Sequence, residues 1–176
     1  MNTTNEWIKI KKSKVHGTGV YAIKDIPKNT KIIEYLGEKI TKKESDKRAT
    51  NQIKKHEKNK KENGAVYIFE LNKTHDIDGN VPWNTAKYIN HACETNAETI
   101  NENGHIWIIS TKKIKKGEEI HYNYGYDIEN FEDHPCNCGS KKCIGYIVAE
   151  KHWSKIKEKV KKKNKKTNTK KHKQSK

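Results

Sequence analysis

The sequence predicts a mainly β domain with short helices. Three observations carry that expectation: short runs rich in β-branched and aromatic residues broken by turn signals, one long run of charged helix formers, and no repeat at a fixed period. A chain of 176 residues is about one domain's worth, and with 31% hydrophobic against 34% charged residues it can build only a modest core.

The elements follow in chain order. WIKIKKSKVHGTGVYAIKDIPKNTKIIEYLGEKI alternates β-like runs with turns, HGTG and IPKNT separating VYAI from KIIEYL. From Thr41 to Asn63 the pattern changes to charged helix formers with little apolar face, and Thr41 and Glu44 have the spacing of a capping box. GAVYIFELN returns to an apolar strand, and THDIDGN reads as another strand end and turn. NTAKYINHACETN combines a short helical turn with polar side chains, while HIWIISTKKIKKGEEIHYNYGYD supplies two strands around the turn KKGEE.

The basicity belongs to the C-terminal end. Residues 151–176 hold thirteen lysines and one acid, so they carry +12 of the formal +16 and leave +4 for the rest. Such a run buries too little apolar surface to offset chain entropy, and its like charges repel, so most of it is expected to be disordered. Trp153, Ile156 and Val160 stand at helical spacing and predict one or two amphipathic turns docked on the domain. A polycation of this kind suits nonspecific nucleic-acid binding.

No apolar run approaches the ~18 residues of a membrane span. The polar start MNTTNEWIKIKK lacks the apolar core of a secretion signal. The expectation is a soluble intracellular protein with no membrane partner, its oligomeric state unknown and a monomer taken as the default. In a reducing compartment disulfides are disfavoured, which turns four cysteines toward metal.

Cys136, Cys138 and Cys143 form C-x-C-x4-C with Gly139 between them. Two thiolates one residue apart, followed by a glycine that lets the chain turn back, can wrap three ligands around one zinc. A disulfide across one intervening residue would be strained. Zinc wants a fourth ligand, and His134, His91 and the remaining cysteine, Cys93, are the candidates on spacing.

HGTG, residues 16–19, lets backbone approach a ligand closely, although a tight turn between strands explains it as well. HYNYGYD places Tyr122, Tyr124 and Tyr126 on one face of a strand at period two. Such a stripe either packs a β-rich core or lines a channel suited to a cationic alkyl chain. No paired carboxylates, no nucleophile with an adjacent base and no phosphate loop stand out, so hydrolase and nucleotide-binding chemistries have nothing to rest on.

Taken together and in order, these segments resemble the SET-domain family of protein lysine methyltransferases. KSKVHGTGVYA is similar to the family's first motif and IIEYLGEKIT to the strand and turn that follow. DIDGN with AKYINHACETN resembles the asparagine–histidine–cysteine motif, KKGEEIHYNYGYD the terminal tyrosine motif, and PCNCGSKKCIG the cysteine-rich post-SET segment. The resemblance implies a β-clip-like SET fold with a threaded pseudoknot over residues 6–128, a charged helical insert at about 41–63, a zinc segment at 133–149 and a lysine-rich tail from 150 to 176.

It also implies S-adenosylmethionine as cofactor, held around Gly17, Thr18, Gly19, Tyr21, Asn90 and His91. Tyr124 matches the catalytic tyrosine, Tyr35 a second active-site tyrosine, and Tyr122 a position that tunes how many methyl groups are added; a phenol there favours monomethylation. Tyr67, Phe69 and Tyr126 would wall the lysine channel, and Cys93 would join Cys136, Cys138 and Cys143 around one structural zinc. The implied substrate is a histone or another basic protein. The implied setting is nuclear chromatin in a eukaryote, or otherwise a bacterial or viral protein acting in a cell.

Three positions depart from the family pattern: Lys87 stands for its arginine, Thr95 for its proline and Asn123 for the aspartate before the catalytic tyrosine. A noncatalytic SET-like module that binds chromatin or nucleic acid through the tail is the alternative reading. The phenols and the asparagine–histidine pair favour the enzyme, because a binder would not need them together.

Overall fold

A computed structural model describes residues 5–59 and 65–162 and divides the chain into two compact units. The first comprises residues 1–90 and 96–120; the second comprises 91–95 and 121–176. The last part of the expected charged helix, beyond residue 59, and the expected disorder beyond residue 162 lie outside the described residues.

The first unit is built from small antiparallel sheets. Strands β1 (Ile8–Lys12) and β2 (Thr18–Ala22) pair directly. β3 (Lys31–Tyr35) is followed by β4 (Glu38–Thr41), helix α1 (Lys42–Lys58), β5 (Ile68–Glu70) and β6 (His75–Asp78). After a 3-10 turn at Thr85–Tyr88, β7 (Asn90–His91) carries the chain across the unit boundary, and β8 (Ala97–Glu102) and β9 (His105–Ser110) return it. The two three-stranded sheets have the orders β3-β9-β8 and β4-β6-β5.

The core of this unit is mostly β-branched: Val20, Ile26, Ile32, Ile89, Ile108, Ile114 and Ile120 are fully buried. That composition fits pleated, half-buried surfaces and explains the many short strands.

Helix α1 starts where the capping signal puts it, with the Thr41 side chain accepting from the Glu44 N–H at 3.3 Å. Ion pairs fasten the helix. Arg48 reaches Glu38 and Asp78, both at 2.8 Å, and Lys42 reaches the buried Asp76 at 2.6 Å. Those aspartates explain a difference from the sequence expectation: THDIDGN contains not a strand end but the central strand β6, whose acids are paired by basic residues of α1. At KKGEE, Gly117 has φ 87, and single bridges join Ile114 to Ile26 and Glu119 to Tyr21.

In the second unit, β10 (His121–Tyr122) is only two residues long, so Tyr124 and Tyr126 do not lie on a strand as the period-two spacing predicts. The turn at Gly125, φ 69, takes the chain out of extended geometry there. Beyond it, Phe131, Val148 and Ile156 form a small core, against which Trp153 and Val160 pack; residues 153–162 are helical.

Candidate functional site: a cysteine cluster, a tyrosine segment and a glycine turn

Within the second unit, Cys93, Cys136, Cys138 and Cys143 bring four Sγ atoms within 4.8 Å of one another. Cys93 Sγ lies 3.8 Å from Cys136 Sγ and 3.9 Å from Cys143 Sγ. Tetrahedral zinc with Zn–S bonds of ~2.3 Å needs sulfurs ~3.8 Å apart, so the cluster fits one zinc ion.

Backbone and side-chain donors face the sulfurs. The Cys93 N–H meets Cys138 Sγ at 3.5 Å, the Gly145 N–H meets Cys143 Sγ at 3.4 Å, and the Ser140 hydroxyl lies 3.3 Å from Cys138 Sγ. Burial raises the Cys93 thiol to about 11 and pushes Cys136 up as well. For Cys138 burial acts the same way, but the Cys93 N–H and the donors of Ser140 outweigh it and bring that thiol to about 6. The donors around Cys138 thus favour its thiolate, and a bound cation would favour the thiolate at all four cysteines.

Neither histidine weighed as fourth ligand belongs to the cluster. The His134 ring stands edge-on to Tyr126, centroids 4.9 Å apart. His91 lies between the cysteine cluster and the tyrosines: its Nε2 is 3.7 Å from Cys93 Sγ and its Nδ1 accepts the Tyr124 N–H at 3.2 Å. Because Nδ1 accepts, the ring proton sits on Nε2 and faces the sulfur. Burial, with His121 nearby, lowers the His91 pKa to about 4 and keeps the ring neutral, as this arrangement requires.

The three tyrosines follow in a row, with ring centroids 5.1 Å apart for Tyr122 and Tyr124 and 5.8 Å for Tyr124 and Tyr126. Tyr122 is buried, and its carbonyl accepts the Ala92 N–H at 3.4 Å.

In the first unit the glycine turn and Asn90 meet at a residue that sequence reasoning passed over, Glu119. Its carboxylate accepts from the Tyr21 hydroxyl at 2.8 Å, Asn90 Nδ2 at 2.9 Å and the Ser13 hydroxyl at 2.7 Å. Burial and the carboxylate together raise the Tyr21 pKa, so the phenol stays a donor. Asn90 Nδ2 also reaches the carbonyls of His16 and Thr18, at 3.2 and 3.0 Å.

The two glycines of the turn do different work. A Cβ on Gly19 would lie 2.2 Å from Glu119 Oε1, so close approach demands glycine. Gly17 is exposed at φ 48 with nothing within 4 Å of its Cβ position, so its backbone faces open space. The signal that could have found Glu119 is the second acid of KKGEE, half-buried beside Ile120.

Tyr35, Tyr67 and Phe69 form a separate group in the same unit. The Tyr35 and Phe69 rings are 4.5 Å apart, and the Tyr35 hydroxyl donates to the Tyr67 carbonyl at 3.0 Å. That carbonyl also accepts the Gly79 N–H at 2.7 Å. Buried Asn84 braces the loop, donating to the Gly79 carbonyl at 3.0 Å and accepting the Leu36 N–H at 3.3 Å.

A mainly β unit followed by a four-cysteine cluster and a tyrosine segment describes a class of domain. Its family is shown by the sequence pattern of the SET domain, which matches residues 17–125: the chain belongs to the SET-domain family. It is similar to the histone-lysine N-methyltransferase trr of Drosophila melanogaster, 37% identical over 147 residues, which are 78% of this chain and 6% of that protein. Histone-lysine N-methyltransferase 2D of Homo sapiens is 37% identical over 146 residues, 78% of this chain and 2% of that protein. Histone-lysine N-methyltransferase set-2 of Caenorhabditis elegans is 37% identical over 144 residues, 80% of this chain and 9% of that protein. The chain therefore spans under a tenth of the length of these relatives.

Proposed function

We propose that this chain is an S-adenosylmethionine-dependent protein-lysine N-methyltransferase. One observation carries the reading: the SET-domain match covers residues 17–125, the span in which Asn90, His91 and Tyr124 stand, and the Tyr124 backbone is hydrogen-bonded to His91. The exposed backbone at Gly17 and the carbonyls of the same turn suit the amino-acid end of the cofactor, whose ammonium needs acceptors and whose carboxylate needs N–H donors. Gly17, Thr18, Gly19, Tyr21, Asn90 and His91 are the residues assigned to it.

When bound, the cofactor supplies a methyl group on a sulfonium. The chain's own task is to present a neutral lysine nitrogen, although free lysine has a pKa of about 10.4. Aromatic walls desolvate the ammonium and favour loss of its proton to water before transfer. Tyr124 orients the nitrogen through its hydroxyl, and Tyr35, Tyr67, Phe69 and Tyr126 exclude water along the lysine side chain. No strong protein base is then required.

Tyr122, buried and beside Tyr124, is assigned the control of methyl number: a phenol hydrogen-bonded near the nitrogen leaves little room for a methylated amine, which favours the monomethyl product. Zinc does no chemistry in this scheme, because four protein ligands leave no position for water. The names of the relatives support a histone as substrate, with another basic protein equally suited on charge and the nucleus as the setting.

The test is label transfer from radiolabelled S-adenosylmethionine to a histone mixture. Wild type should label a histone, and Tyr124→Phe should reduce transfer by about a hundredfold, the scale of one positioned catalytic group. No label in any protein, with lysine-tail-dependent DNA binding intact, would replace the enzyme with a binding module.

A further inference from the structure

Asn123 is the departure nearest the chemistry, and it makes a contact that aspartate cannot. Its Oδ1 accepts the Gly125 N–H at 2.9 Å, closing an Asx turn around Tyr124, and its Nδ2 donates to the Val148 carbonyl at 3.2 Å. A donor on one side and an acceptor on the other fix which end of the amide is nitrogen.

Val148 is fully buried in the core with Phe131 and Ile156. Its carbonyl also accepts from Trp153 Nε1 at 3.3 Å, and the next residue, Ala149, donates its N–H to the Tyr126 carbonyl at 2.8 Å. Tyr124 is thus flanked on both sides, at Asn123 and Tyr126, by hydrogen bonds to one dipeptide, which is in turn held by Trp153 and Ile156 of the 153–162 helix.

An ionised aspartate at position 123 could still accept from Gly125. It has no proton for Val148, however, and would set a carboxylate against a carbonyl that is itself an acceptor.

We propose that Asn123 is a positioning residue that fastens the Tyr124 turn to the C-terminal helix, so that a helix beyond the region matched to the SET domain is a working part of the site. The role of Tyr124 in this inference rests on the methyltransferase reading. The departure from aspartate is then a substitution matched to the Val148–Trp153 contact, not a blemish in the tyrosine motif.

The test uses the full zinc-loaded chain with Asn123→Asp and Trp153→Phe, which keeps an aromatic side chain but removes the N–H donor together with the pyrrole ring. Hydrogen exchange of residues 121–127, zinc content, and kcat separately from KM for S-adenosylmethionine are read on each. Asn123→Asp should speed exchange in 121–127 and lower kcat about tenfold, the cost of one buried hydrogen bond, with KM changed by less than about twofold and zinc retained. Trp153→Phe should move the same two readouts in the same direction by about threefold.

Unchanged exchange at 121–127 in both variants would overturn the proposal, as would a fall in kcat matched by loss of zinc. If wild type methylates nothing, the methyltransferase reading fails by itself, and the exchange comparison still decides whether Asn123 and Trp153 hold the turn.

Discussion

Replacing Gly79 with alanine is expected to disturb Tyr35 directly. The new Cβ would lie 2.3 Å from Tyr35 Cε1, 2.4 Å from its hydroxyl oxygen and 2.5 Å from Asn84 Nδ2, whereas carbon atoms rest ~3.5–4.0 Å apart. Relief needs a shift of about 1 Å, and neither neighbour has room for it: Tyr35 is 2% exposed and Asn84 0%. Overpacking of this kind costs about 1–3 kcal/mol. Displacing the Tyr35 hydroxyl from the Tyr67 carbonyl adds about 1 kcal/mol.

The sum, about 2–4 kcal/mol, is a large part of a small domain's ~5–15 kcal/mol. Urea unfolding of wild type, Gly79→Ala and Gly104→Ala separates crowding from strain, because Gly104 has φ 87 but open space around its Cβ position. Gly104→Ala should lose about 1 kcal/mol and leave methyl transfer by the folded protein unchanged. Gly79→Ala should lose more and also lower kcat. If Gly79→Ala unfolds at the wild-type midpoint with the wild-type slope, the account of Tyr35 as a fixed wall is wrong.

Other expectations follow from the same contacts. Cys138→Ser removes one of the four sulfurs of the cluster, and structural zinc sites bind with about 10–16 kcal/mol spread over their ligands, so zinc content by atomic absorption should fall well below one per chain and methyl transfer should be lost. Acid should release the metal from the wild type, since lowering the pH protonates the thiolates; retention of zinc unchanged from neutral pH to pH ~4 would contradict thiolate ligation. Glu119→Gln removes the charge that Tyr21, Asn90 and Ser13 donate to, and should weaken S-adenosylmethionine binding by about tenfold in calorimetry while leaving zinc in place. Tyr122→Phe should shift the product toward dimethyl- and trimethyllysine in mass spectra; a purely monomethyl product from that variant removes Tyr122 from the control of methyl number.

Much of the site was legible because its chemistry is written in residue types with narrow uses. Three cysteines in eight residues point to metal by themselves, but the choice of Cys93 over His134 or His91 depended on family resemblance, since contacts across 43 residues leave no local trace. The folded chain puts His134 against Tyr126 and sets His91 beside the sulfur it might have replaced.

Strands were harder where pairing overrides pattern. β8 is an edge strand written in polar letters, AETINE, and went unread, although the Asn103–Gly104 pair after it, φ 53 and 87, is a strong hairpin signal. β6 hid its central position because its aspartates are neutralised by α1, a compensation visible only in three dimensions. Glu119 was hidden for the same reason: an acid in a lysine-rich turn looks solvated until three donors are found on it.

The central claim is lysine methylation, and the most direct measurement is the product itself. Tandem mass spectrometry of histones incubated with zinc-loaded wild type and S-adenosylmethionine should place a single methyl group on the Nζ of a lysine, with that product reduced about a hundredfold when Tyr124→Phe is used. No methyllysine on any protein offered, from enzyme verified to hold one zinc and to bind the cofactor, would contradict the account.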